Sequence, residues 1–164
     1  LKTYSQLFLN PEQADWKARA ERFSARIKDV IEIYGEEAKA LPPETQEELA
    51  TYHDSCRAIN GSGLKDEPRR AAKALAGEHY CEMAGADACC GGAGAFGFVH
   101  EELSEELLKR KIANAAAEQV ELILTSSTSC LVQLARGLRK YYPEAKALHL
   151  SEYVAGALRQ SHGP

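Results

Sequence analysis

A short apolar segment in the second half of the chain restricts the fold more than any other feature. Leu122, Ile123 and Leu124 follow one another within residues 121–125 and form the clearest strand pattern in the sequence. A strand with apolar residues at successive positions is typical of a sheet that is covered on both faces. Helical patterns precede and follow the segment, which is typical of a parallel sheet between helices. The sequence therefore predicts an α/β fold.

Other segments show the same alternation. Weaker strand patterns occupy residues 49–53, 78–83 and 147–150. Helical patterns occupy residues 68–75, 101–118, 130–141 and 151–159. Strands separated by helices of this length need right-handed crossovers. We therefore expect one α/β domain over residues 49–164, with a mainly parallel sheet of about four strands flanked by helices.

The first 48 residues have a different organisation. Apolar residues recur at steps of three and four from residue 11 to about residue 34, which predicts an amphipathic helix. Pro42 and Pro43 then interrupt a charged stretch. We expect residues 1–48 to form a helical extension or connector. Packing of its apolar stripe on the main domain is the simpler interpretation, and a separate appendage is the alternative. Because the chain begins at Leu1 and not at Met, we also expect a piece of a longer protein.

Charge and hydropathy exclude two classes of partner. The sequence has 20 Lys and Arg residues against 24 Asp and Glu residues, for a net charge of −4 at pH 7. No excess of positive charge is present to bind nucleic acid. No window approaches the roughly 18 apolar residues of a membrane-spanning helix, and no signal segment opens the chain. We expect a cytoplasmic protein that neither binds nucleic acid nor spans a membrane.

The five cysteines are the residues most suggestive of chemistry. Their number is odd, two of them are adjacent, and no secretion signal accompanies them, which favours metal or redox chemistry over a disulfide framework. In a parallel sheet, loops that follow different strands meet at one edge. Four thiols follow three of the predicted strands and are expected to converge there: Cys56, Cys89, Cys90 and Cys130.

Residues around these thiols have functional and structural interpretations. Gly91 and Gly92 let the backbone approach a bulky cluster and offer N–H donors to its sulfurs. His53 has three alternative interpretations: a metal ligand, a proton donor, or a histidine at the end of a strand with only a structural role. Cys81 lies on a predicted strand and is expected to pack in the core. The glycines lack the sequence context of a phosphate-binding loop, so nucleotide binding is not expected.

The cysteine spacing resembles that of the cysteine-rich CCG domain. The resemblance runs from Cys56 through Cys89, Cys90 and Gly91 to Cys130. Short sequence segments at residues 52–55, 82–87 and 111–114 also resemble those of the domain. That domain occurs in the B subunit of heterodisulfide reductase. It also occurs, usually as two copies, in the iron–sulfur subunits of glycolate oxidase and in lactate-utilisation proteins. The chain looks like the C-terminal copy of such a subunit.

The resemblance implies an iron–sulfur cluster of the [4Fe–4S] type. In heterodisulfide reductase the cluster is a noncubane form with five thiolates, but this chain has Ser127 where the family pattern has another cysteine. A cubane cluster held by the four thiols remains open, as does a cluster completed by Ser127 or His53. A zinc site with four thiolates is the alternative, because zinc needs only four nitrogen or sulfur ligands.

The function that the resemblance implies is electron transfer within an oxidoreductase complex. Such a complex acts on a 2-hydroxy acid or passes electrons to a thiol, disulfide or quinone. The expected partners are a flavin-containing subunit and other iron–sulfur subunits, which would hold the chain peripherally at the inner face of the membrane. A structural zinc domain for subunit assembly is the alternative. Thiol–disulfide exchange through Cys89 and Cys90 is a third reading, disfavoured because adjacent cysteines form a strained ring.

Overall fold

The computed structural model describes residues 2–40 and 47–162, with the side chain of His162 left out. The chain forms two compact units, Leu1–Val30 and Ile31–Pro164. No helix within the described ranges is long and apolar enough to cross a membrane.

The smaller unit contains one α-helix, α1 (Ala14–Ser24), which follows two short 3₁₀ turns. The side chain of Asn10 accepts a hydrogen bond from the Glu12 N–H at 3.1 Å and caps the second turn. The rings of Tyr4 and Phe23 stack with 5.7 Å between their centroids. Part of the predicted apolar stripe is therefore covered within this unit.

The prediction of one helix from residue 11 to about residue 34 is wrong. The helix ends at Ser24, and a separate helix, α2 (Val30–Glu36), begins after a non-helical stretch. The Arg26 N–H donates to the Phe23 carbonyl at 3.0 Å, and the Ile27 N–H donates to the Ser24 carbonyl at 3.2 Å. These bonds span three residues instead of four, so they tighten the backbone into a turn and end the helix. Hydrophobic spacing alone does not reveal such an end.

Three parallel strands form the sheet of the larger unit: β1 (Ala50–His53), β2 (Leu122–Thr125) and β3 (Lys146–His149), in that order. In register, His53 lies beside Thr125, and Thr125 lies beside His149. The predicted α/β fold with a parallel sheet is confirmed, but the sheet has three strands and not four.

The missing strand is the one predicted at residues 78–83. Tyr80 makes a single parallel bridge to Ala50, and the Cys81 N–H donates to the Ala50 carbonyl at 2.9 Å. The next inward N–H, that of Met83, donates instead to the side-chain hydroxyl of Thr51 at 3.2 Å. Because a side chain replaces the backbone acceptor, the strand ladder stops after one bridge.

Helices cover the sheet. The four helices predicted in this domain are confirmed, with small shifts of their ends, as α4 (Asp66–Ala76), α6 (Glu101–Ala117), α7 (Thr128–Tyr141) and α8 (Leu150–His162). Two further short helices have no clear sequence pattern: α3 (Cys56–Ser62) and α5 (Phe96–Val99).

The central strand β2 divides the core in two. Leu122 and Leu124 pack with Tyr52 in one buried cluster, whereas Ile123 packs in a second cluster with residues of α6 and α7. The side chains of Leu122, Ile123 and Leu124 are all fully buried. The continuous apolar run thus has the predicted cause, because each face of the strand is covered by its own helices.

Helices α6 and α7 approach closely at Gly137. A Cβ atom at this position would lie 2.6 Å from Leu108 Cδ1 and 2.9 Å from Ile112 Cγ1. Leu108 and Ile112 are buried members of a core cluster, so a shift of either side chain would disturb packed neighbours. The absence of a side chain at residue 137 is therefore part of the helix packing.

We predict that Gly137→Ala destabilises the protein. Overpacking of this kind costs about 1–3 kcal/mol, which exceeds the gain of up to about 1 kcal/mol from a better helix former. Gly156→Ala in α8 is the matched control, because a Cβ there meets no atom within 4 Å. Urea unfolding should give a lower midpoint for Gly137→Ala and an unchanged or higher one for Gly156→Ala. Equal stabilisation by both substitutions would contradict the close packing.

Candidate metal centre

Three buried side chains meet at the carboxyl edge of the sheet. His53 ends β1, Cys130 lies in the first turn of α7 just after β2, and Cys90 lies in the loop before α5. One imidazole nitrogen and the two sulfur atoms all lie within 4.8 Å of one another. Two of the predicted thiols are therefore brought together, and the histidine lies with them.

The His53 side chain is buried, and the sulfurs of Cys90 and Cys130 lie near its ring. It is only 1% exposed, and neither ring nitrogen makes a hydrogen bond within the described part of the chain. The hydroxyl of Thr125, its neighbour on β2, is also buried and unbonded. Buried polar groups of this kind are rare because each costs about 1–3 kcal/mol when left unsatisfied. The imidazole has the environment expected of a ligand to a metal group.

Cys90 and Cys130 form an electrostatically unequal pair. A hydrogen bond from the Cys90 thiol lowers the pKa of Cys130, and the nearby imidazole of His53 and hydroxyl of Ser127 lower it further. The bond to Cys130, together with burial, raises the pKa of Cys90. The opposite shifts favour a proton shared between the two sulfurs over two neighbouring thiolates. A metal ion at this point would replace the shared proton and bind two thiolates.

The other two predicted ligands lie at the surface. Cys56 is the first residue of α3, and both Cys56 and Cys89 are exposed. The Cys89 sulfur accepts a hydrogen bond from the Gly91 N–H at 3.3 Å, as expected for a glycine that serves a sulfur ligand. Neither thiol belongs to the buried group, but both occupy segments that adjoin it.

Ser127 and Cys81 have separate environments. The Ser127 hydroxyl lies 3.0 Å from that of Ser129 and also interacts with the Cys130 sulfur. Cys81 is half-buried and packs against the core cluster that contains Ile123. Burial raises the pKa of the Cys81 thiol, which keeps it protonated. Its packing agrees with the predicted role in the core.

Gly91 and Gly92 allow tight packing under the cysteine loop. Gly91 has a φ of +81°, and a Cβ there would lie 2.6 Å from the Ser104 carbonyl oxygen. A Cβ at Gly92 would lie 2.9 Å from Gln133 Cβ. The Ser104 hydroxyl donates to the Gly91 carbonyl at 2.9 Å. The glycines therefore hold the loop against α6 and α7, a role that the sequence did not reveal.

A polar anchor holds the segment just before the two adjacent cysteines. The backbone carbonyls of residues 84–86 accept hydrogen bonds from Asn114 Nδ2, Lys111 Nζ and the Asp54 N–H. Lys111 and Asn114 stand three residues apart on α6 and so share one face of the helix. That spacing is the sequence signal of this anchor, and it lies within one of the segments that resemble the CCG domain.

The cysteine-rich domain family named CCG matches residues 50–135, which is more than half of the chain. This chain belongs to the CCG cysteine-rich domain family. The match spans β1, β2 and all the residues of the candidate metal centre.

Three curated relatives share the CCG domain region. The chain is 32% identical over 151 residues, 89% of its length, to the probable glycolate oxidase iron-sulfur subunit of Bacillus subtilis (strain 168). It is 28% identical over 87% of its length to the uncharacterized protein YkgE of Escherichia coli (strain K12). It is 28% identical over 63% of its length to lactate utilization protein A of Oceanobacillus iheyensis. The matched parts cover 34%, 60% and 43% of these relatives.

A buried ion pair supports the histidine of this CCG domain. The Asp54 side chain is 1% exposed and is held by Arg69 through two bonds of 2.8 and 2.7 Å. Arg69 also bonds to Glu82 at 2.7 Å. These bonds connect α4 with the end of β1 and with the segment that leads to the cysteine loop. The ion pair thus orders the backbone on both sides of the candidate site.

We predict that Arg69→Leu destabilises the domain by about 3–5 kcal/mol, because it leaves the Asp54 carboxylate buried and unpaired. The measurement is urea unfolding at neutral pH. Arg57→Leu on the neighbouring helix is the control, since Arg57 is exposed, and it should change stability by no more than about 0.5 kcal/mol. A similar small effect for both variants would show that the ion pair does not support the fold.

Proposed function

We propose that the chain is an iron–sulfur cluster-binding electron-transfer domain of an oxidoreductase complex. The observation that carries this proposal is the buried group of His53, Cys90 and Cys130, in which the imidazole has no other polar partner. Two thiols and an imidazole are soft and borderline ligands, which suit iron–sulfur clusters and zinc better than hard cations. Membership of the CCG family supports the same reading.

The ligand set of the proposal is the one expected from the sequence, with the histidine added. Cys90 and Cys130 supply buried thiolates, and the exposed Cys56 and Cys89 are available to complete the set. Ser127, beside Cys130, is the remaining candidate oxygen ligand. A [4Fe–4S] cluster supplies one-electron transfer when bound, and the Gly91 N–H that donates to Cys89 would tune its potential.

The relatives support a role within a larger assembly. One is named a glycolate oxidase iron-sulfur subunit and another a lactate utilization protein, so the proposed complex acts on a 2-hydroxy acid. A flavin-containing subunit and other iron–sulfur subunits would be the partners, in the cytoplasm or held at the inner face of the membrane. Phe98 and Val132 are 90% and 70% exposed and line the same pocket, and an exposed apolar surface of this kind fits a contact with such a partner.

A zinc domain is the second candidate function. Its support is that His53, Cys90 and Cys130 alone provide three ligand atoms close enough to share a single ion. Zinc accepts such mixed nitrogen and sulfur sets and needs one further ligand, which Cys56 or Cys89 could supply. In that case the metal would join the loops after β1 and β2, and the domain would serve assembly and not electron transfer.

Metal analysis of the anaerobically purified chain distinguishes the two functions. We expect a brown protein that carries about four irons and loses its visible absorption on reduction, as clusters ligated by cysteine do. EPR spectra of the oxidised and reduced forms would identify the cluster type. A colourless protein with one tightly bound zinc would overturn the electron-transfer proposal and support the zinc domain.

We predict that Cys90→Ser and Cys130→Ser abolish metal binding, because each removes a buried thiolate. His53→Ala should weaken binding by at least about 10-fold. Cys81→Ser is the matched control, since this half-buried thiol packs in the core and should leave the metal content unchanged. Iron and zinc are measured after gel filtration, with circular dichroism as the check of folding. Loss of metal in Cys81→Ser, or its retention in Cys130→Ser, would refute this ligand assignment.

A further inference from the structure

Lys111 is an unusual residue for the interior of a protein. Its side chain is 2% exposed and lies on α6 among residues of a hydrophobic core cluster. Buried lysines are rare unless they are paired, because desolvation of the ammonium group is costly. Here burial lowers the pKa of Lys111 to about 8, so the amine is still mostly charged at neutral pH. Some interaction must offset the cost of its burial.

Backbone carbonyls provide part of that offset. Lys111 Nζ donates to the Gly85 carbonyl and, at 3.2 Å, to that of Ala86. The Ala86 carbonyl also accepts the Asp54 N–H at 3.1 Å, and Asn114 Nδ2 donates to the Ala84 carbonyl at 2.7 Å. The ammonium therefore fixes the backbone that leads directly into Cys89 and Cys90.

Acidic side chains and thiols of the surrounding segments also act on Lys111. Those that favour the charged form of Lys111 are, in order, Cys90, Asp54, Asp87 and Cys89. Asp54 is already neutralised by two bonds from Arg69, and Asp87 is exposed to solvent. Once a bound metal group deprotonates them, Cys89 and the buried Cys90 would become further anionic partners for the charge of Lys111.

We propose that Lys111 is a positioning residue of the metal centre. Its ammonium group anchors residues 84–86 and places a buried positive charge behind the thiolates of Cys89 and Cys90. This inference rests on the proposed function, because the charge matters most when both thiols are deprotonated by a bound metal group. It assigns a role to a residue that is not itself a ligand.

Anchoring and charge have separable consequences. Loss of the anchor lets the loop move and weakens metal binding, as removal of groups that orient ligands commonly does. Loss of the charge makes the site more negative, and a more negative site accepts an electron less readily. The reduction potential of the loaded centre should then fall.

The test compares four substitutions and one control in the 164-residue chain. Lys111→Met removes the anchor and the charge while preserving the apolar stem. Lys111→Gln keeps one amide donor without the charge, and Lys111→Arg keeps the charge. Asn114→Ala removes an uncharged bond from the same loop. Arg110→Met is the matched control, because Arg110 is the adjacent residue of α6 and is exposed.

We expect Lys111→Met to bind the metal group about 10- to 100-fold more weakly in competition with a chelator, and to have a lower reduction potential. Lys111→Gln should share the lower potential. Lys111→Arg should restore the reduction potential of the unaltered chain. Asn114→Ala should weaken metal binding without changing the reduction potential. Arg110→Met should match the unaltered chain in both measurements. The inference is overturned if Lys111→Met, or Lys111→Gln where the Met variant does not fold, equals Arg110→Met in both affinity and potential.

Hydrogen exchange separates this inference from the proposed function. In the metal-free chain, amides of residues 84–90 should exchange faster in Lys111→Met than in Arg110→Met. If the unaltered chain binds no metal but shows this difference, the proposed function fails while the anchor stands. If the unaltered chain binds metal and exchange is the same in both variants, the anchor is refuted and the proposed function stands.

Discussion

The parallel pairing of β1 with β2 determines where chemistry can occur in this chain. Because the two strands run in the same direction and in register, His53 and Thr125 end side by side at one edge of the sheet. The first turn of α7 starts from that edge and carries Cys130 towards the histidine. The same pairing buries Tyr52 and Leu124 in one core cluster. The hydrophobic packing of the domain thus also fixes the distance between two candidate ligands.

The third member of the buried group is positioned by different forces. The segment before Cys90 makes only one bridge to the sheet, so its place depends on side chains that bond to its backbone. Lys111 is the costliest of these to bury, yet a hydrogen bond to a charged group contributes about 1.5–3 kcal/mol, more than one between neutral groups. Two carbonyl acceptors and nearby thiols therefore make an interior ammonium tolerable. Met83 and Ala86 also pack in the core cluster that contains Ile123, so the segment is held by polar bonds and apolar packing together.

These two kinds of force explain what could be predicted. The apolar run at Leu122 to Leu124 made β2 and the parallel sheet predictable, and the convergence of loops placed Cys90 and Cys130 together. That His53 joins them, and that Cys56 faces solvent, depends on the turn between β1 and α3, which no periodicity encodes. The expected strand at residues 78–83 failed because the Thr51 hydroxyl takes a backbone hydrogen bond. Short-range sequence patterns thus predicted the helices and strands and their order. They did not predict which side chain accepts a given backbone hydrogen bond, or whether a given thiol faces the site or the solvent.

Ser127 links the sequence pattern to the charge of the site. Where the family pattern has a further cysteine, this chain has a hydroxyl that interacts with the Cys130 sulfur and lowers its pKa. The His53 imidazole also lies near the Cys130 sulfur, and it is uncharged when it acts as a ligand. A centre held by Cys90, Cys130 and His53 would therefore carry less negative charge than one held by thiolates alone. Since replacement of cysteine by histidine raises the potential of a cluster, a cluster bound through His53 would be more oxidising than one of the same type with cysteine ligands alone.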